Sequence, residues 1–134
     1  MEDVAGLAEF VLARNDEREA VARAAGDPAW HTLPHEMYEG RIEDSLGEVV
    51  VYDEGSPNAA QAAHIALNDP AHVLAWCETV RRIVKEAAPS IADLQRLSDT
   101  EFGVSSDHDE SERLLRLLAL PDAAHPDYDP AWAV

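Results

Sequence analysis

The chain has 134 residues, the length of one domain, and 46% of them are apolar. Alanine fills 23 of those positions, so large core formers are few, though sufficient for a small cooperative core. Acids outnumber bases 27 to 10, giving a formal charge of −17, which argues against nucleic-acid binding through phosphates and against anionic membrane surfaces.

Val4, Leu7, Val11, Arg18, Val21 and Ala25 lie near helical spacing, with Phe10 and Leu12 widening the stripe. This predicts an amphipathic helix over 3–25, with Asp3 as N-cap and Gly26 as the stop. Its polar run Asn15 to Glu19 is expected to face water. Pro28 then opens a different texture. Segments 30–33, 37–43 and 48–52 are short and rich in aromatic and β-branched residues. Ser45-Leu46-Gly47 and Glu54-Gly55-Ser56-Pro57 are turn signals, so 30–52 reads as a two- or three-stranded antiparallel meander. Residues 58–67 form a short alanine-rich helix. Asp69-Pro70 is a strong helix start, because the carboxylate accepts from free N–H groups and proline lacks a donor that position does not need. Val73, Cys77, Val80, Val84 and Ala87 continue the stripe, predicting a helix over 70–88 that Pro89 stops. Ser90 caps a further helix over 90–97, residues 98–110 read as an acidic loop, and five leucines mark a helix over 111–120. The tail 121–134 has three prolines and no helical period. The expected fold is α+β, a short antiparallel β-meander packed against a helical layer, as a single domain over 1–134 with the 70–88 helix as its spine.

The acidity is uneven. Residues 1–25 hold six acids and three bases (−3), and 26–68 hold eight acids and only Arg41 (−7). Residues 69–98 balance at four against four, and 99–134 hold nine acids against Arg113 and Arg116 (−7). A neutral segment between acidic ones suggests a core in the middle of the chain. No apolar run reaches the ~18 residues of a membrane span. The lone Cys77 and the lack of a secretory start fit a cytoplasmic setting.

Three patches together carry a likeness. They are the Asn15-Asp16-Glu17-Arg18 run with Pro28 and Trp30; His64-Ile65-Ala66 with Asp69-Pro70-Ala71 and Val73-Leu74; and the Leu117-to-Trp132 tail with Pro121, His125-Pro126 and Tyr128. In order and spacing the chain resembles a family of short proteins of unknown function from actinobacteria and their phages. The middle is similar to small phage proteins in which a Trp-led meander precedes an alanine-rich helix and a longer one. The resemblance implies a bacterial or phage setting and supplies no activity, ligand or catalytic residue. The segment 98–110 is more acidic and shorter than the resemblance implies.

Among the six histidines, His64 and His72 flank Asp69, and with His125 they are the candidate metal or small-ligand set of an enzyme. No His-x-x-x-His pair supports it, and Asp69 already has a capping role. Cys77 sits on an apolar stripe, as an inert buried thiol would. No nucleophile elbow, phosphate-binding glycine loop or Cys-x-x-Cys occurs, so no catalytic residue and no cofactor is expected. Trp30 and Trp132 read as staples, with Trp132 alternatively a partner anchor, and Arg81 and Arg82 as ion-bridge formers or a small anion site. The favoured reading is a non-enzymatic acidic accessory protein, binding a basic protein partner and neither nucleic acid nor membrane, with DNA mimicry as its concrete form. Its candidate partner-binding residues are Glu39, Glu43, Asp44, Glu48, Asp53, Glu54, Asp107, Asp109, Glu110 and Glu112. A third reading is a self-associating module built on Leu114 to Leu120.

Overall fold

The computed structural model describes residues 2–34, 38–52, 54, 57–97 and 106–134. Among them the chain is α+β, with four α-helices and a three-stranded antiparallel sheet. The chain divides into two compact units, one made of Met1–Glu17 with Glu78–Val134 and the other of Arg18–Cys77. The first helix, α1 (Glu2–Ala24), and the third, α3 (Pro70–Leu97), each contribute to both.

The unit 18–77 holds the meander. Strands β1 (Trp30–Thr32), β2 (Ile42–Asp44) and β3 (Val49–Val51) lie in that order, and helix α2 (Ala59–Leu67) packs on β1. Trp30 pairs with Asp44, and Thr32 with Ile42. Ile42 also pairs with Val51 while Glu43 pairs with Val49, so Val50 is an extra residue in a bulge. The β2–β3 connection is a three-residue loop closed by Asp44 N–H to Glu48 O (2.9 Å) and Gly47 N–H to Asp44 O (3.1 Å). Gly47 sits there at φ +82°, the left-handed position such a loop demands. The Asp44 carboxylate accepts from the Leu46 and Glu48 N–H groups, both at 2.9 Å, and fixes the turn. Ile42 is fully buried, and Ala22, Ala62 and Cys77 of this unit are buried as well.

Asp69 joins two elements. Its Oδ1 accepts from the His72 N–H at 2.9 Å, capping α3, and its Oδ2 accepts from the Trp30 N–H at 3.0 Å, holding the start of β1. The Ala71 N–H donates to Pro28 O at 2.8 Å beside it. The Trp30 indole N–H donates to Asp27 O at 2.9 Å, so this tryptophan is pinned by its polar edge.

The other unit contains the larger core: Val4, Leu7, Phe10 and Val11 of α1, Val80, Val84 and Ala87 of α3, and Leu115 and Ala119 of α4 (Ser106–Ala119), closed by Trp132. The tail contributes two 3-10 turns, Leu120–Asp122 and Pro130–Trp132. Asp129 caps the second through the Ala131 N–H. Phe10, Tyr128 and Trp132 form an aromatic cluster with centroids 5.3–5.8 Å apart.

Several expectations need correction. Asp3 lies inside α1, which begins at Glu2, and so is not its cap. Val21 is exposed and Ala22 is buried in its place. Asn15 is buried at 2% exposure, within a run expected to face water. Pro89 does not end α3, and the separate helices over 70–88 and 90–97 are one. A proline within a helix removes a single N–H and crowds a single carbonyl, and the helix formers of 90–97 carry the helix onward. Helix α4 begins at Ser106 and takes in residues read as loop. Acids in a first turn oppose the positive end of the helix dipole, so an acidic run of this kind suits a helix start. Residues 98–105 of the expected loop lie outside the described residues. The main core also draws on both ends of the chain, not on its middle alone.

Candidate functional site

The ten candidate acids fall in both units and differ in their duties. In the unit 18–77, Glu43 pairs with Arg41 at 2.9 Å, and Asp44 is committed to its turn. Glu39 accepts the Ala59 N–H at 3.3 Å. Glu48 and Glu54 are exposed, and Asp53 lies outside the described residues. In the other unit, Glu112 pairs with Arg116 at 2.9 Å, while Asp109 and Glu110 are exposed. The Asp107 side chain lies outside the described residues. The ten are therefore not equivalent surface charges.

Around Glu39 the chain builds a cleft of about 270 Å³, lined by Thr32, Leu33, Pro34, Tyr38, Glu39, Gly40, Ala59 and Ala62. Its walls are the end of β1, the turn at 38–40 and the first turn of α2. Gly40 adopts φ +88°, and a Cβ there would stand 2.0 Å from Pro57 O. The turn thus lies against the chain leading into α2 so closely that only glycine fits. Asn58 and Gln61 form a reciprocal capping box at 2.8 and 2.9 Å. Glu39 supplies the acceptor for the helix's first N–H, Ala59, which the box leaves over. The Arg41 guanidinium lies over the Tyr38 ring at 5.5 Å. Composition pointed to Glu39 only as one acid among many. The Asn58-x-x-Gln61 spacing is the sequence signal for the helix start it serves, but nothing local pairs that start with a residue twenty positions upstream.

The histidine set does not assemble into a ligand group. Both Asp69 oxygens are engaged by backbone N–H groups, and His64 and His72 are exposed. His125 belongs to the other unit, where its Nδ1 lies 2.7 Å from Arg14 Nη1 and accepts from the Asp127 N–H at 3.0 Å. Its ring packs edge-on to Phe10. Among the described residues no group of three or more His, Cys, Asp or Glu side chains is placed to hold a metal. Cys77 is buried. Trp132 is buried in the core, whereas Trp76 is half exposed. Arg81 bridges Asp16 at 3.6 Å and Glu78 at 3.3 Å, and Arg82 reaches Glu78 at 3.2 Å, so both guanidiniums carry acids of their own chain.

One titration is displaced. The Asp27 carboxyl is held below its ordinary value, chiefly because the Ser45 hydroxyl donates to it and secondly because the Ala29 N–H does.

Residues 4–134 match a family of unknown function, DUF6221. The chain belongs to that family. No curated protein and no solved structure matches it. The DUF6221 match runs through both compact units. Among the described residues of this DUF6221 protein, no helix is long and apolar enough to cross a membrane.

Proposed function

We propose that this protein is a non-enzymatic accessory protein whose carboxylates bind a basic macromolecular surface. A host DNA-binding protein or nuclease, blocked by imitation of DNA phosphates, is its concrete target. One observation carries the reading. Arg14, Arg23, Arg41, Arg81, Arg82 and Arg116 each lie within reach of an acid of this same chain. Those bases are engaged locally, and with 27 acids against 10 bases the chain carries a surplus of carboxylates that its own cations cannot match one for one. An unopposed negative surface steers a positive partner at long range and loses that advantage when salt screens it.

The test is competition. Purified basic DNA-binding proteins and nucleases are offered duplex DNA with and without this protein, at low and at high salt. The reading expects DNA to be displaced, with affinity falling steeply as salt rises. Affinity retained from low to high salt overturns it.

A second reading, self-association, is favoured by one feature of α4 and the turn after it. Leu114, Leu117 and Leu120 are 41%, 44% and 43% exposed at a spacing of three, while Leu115 and Ala119 fill the core. Sedimentation over a range of concentrations distinguishes it, since a monomer at every concentration removes it.

A further inference from the structure

We propose that the cleft beside Glu39 is a receptor for one arginine side chain of the basic partner, with Glu39 as counter-ion and Tyr38 as its aromatic wall. This rests on the reading above and adds to it a defined chemical anchor. At about 270 Å³ the cleft falls below the usual size of a pocket for a whole small molecule, and suits a single side chain.

Glu39 is positioned in advance of binding. Its Oε1 is held by the Ala59 N–H, and among the described residues its other oxygen has no partner. The turn that carries it is fixed by the contact of Gly40 with Pro57. A carboxylate already held in place loses little freedom when it meets a ligand.

The charge balance selects a cation. The net charge over 26–68 is −7, and its only base, Arg41, is engaged by Glu43 at 2.9 Å. The start of α2 carries a partial positive charge of roughly half a unit, less than the full charge of the carboxylate facing it. Arginine fits better than lysine because a planar guanidinium both forks onto a carboxylate and stacks on an aromatic ring. The Tyr38 ring already receives one guanidinium, that of Arg41, at 5.5 Å.

The experiment is a titration of the full-length, isotope-labelled protein with N-acetyl-arginine methylamide, followed by amide chemical shifts. The expected result is shifts concentrated at Thr32, Tyr38, Gly40 and Ala59, with the lysine analogue binding more weakly. Glu39→Gln keeps an oxygen for the Ala59 N–H and so preserves the turn, and should weaken binding by about tenfold. Glu9→Gln, at an exposed acid of the other compact unit and outside the candidate set, should leave binding unchanged. Shifts spread evenly over the acidic surface, or an undiminished response in Glu39→Gln, overturn the proposal. If basic proteins bind with strong salt dependence while the blocked arginine leaves the cleft unmoved, the proposal falls and the broader function stands. If the blocked arginine fills the cleft and no basic protein binds, the broader function falls alone.

Discussion

Replacing Gly40 by alanine separates two costs that are usually merged. Gly40 and Gly47 have nearly the same backbone, φ +88° and +82°. A Cβ at Gly47 meets nothing within 4 Å, whereas one at Gly40 falls 2.0 Å from Pro57 O. Real Cβ contacts essentially never fall below 3.0 Å, so Gly40→Ala requires the chain to part by about 1 Å or more. The left-handed conformation costs an alanine about 1–2 kcal/mol, of which about 0.4–1 is returned through the less flexible unfolded chain. Gly47→Ala should therefore lose about 1 kcal/mol. Gly40→Ala adds overpacking of about 1–3 kcal/mol, for a total of about 2–4 kcal/mol. Urea titration followed by far-UV circular dichroism reads the difference, as a midpoint lower by about 1 M in Gly40→Ala than in Gly47→Ala. Equal midpoints at equal slopes would show that the turn is not pressed against Pro57, and that Glu39 is not held where the cleft needs it.

Two further outcomes test the frame around the cleft. Asp69→Ala should cost about 2–4 kcal/mol, because it removes a cap worth about 1 and leaves the part-buried Trp30 N–H without its acceptor. Asp69→Asn keeps one acceptor oxygen and should lose less, with amide exchange at Trp30 and His72 showing which bond survives. For Asp27, the folded-state carboxyl is depressed, so its contribution is present above the ordinary carboxylate range and is lost as pH falls through the folded value. The stability gap between the native protein and Asp27→Asn should thus close below about pH 4, and Ser45→Ala, which removes the largest cause, should shrink the gap at neutral pH. A gap that stays constant from neutral to acid pH refutes this assignment.

The sequence announced what short-range chemistry controls. Asp69-Pro70 started a helix because cap and proline act within one turn, and Ser45 to Gly47 closed a hairpin because the left-handed position needs glycine. The α+β class followed from these local signals and from hydrophobic period. Pro89 misled because a proline's local penalty does not measure what the residues beyond it add to the helix. Val21 and Ala22 exchanged roles, and Asn15 went inside, because a helix period marks a face without saying which elements cover it.

The number of carboxylates was legible from composition, and their employment was not. Glu43 and Glu112 neutralise arginines, Asp44 braces a turn and Glu39 serves a helix twenty residues away. A charge total is a sum over residues and needs no coordinates. Which acid stays available to a partner depends on who stands beside it, and only the folded chain brings Tyr38, Glu39 and Ala59 to one cleft.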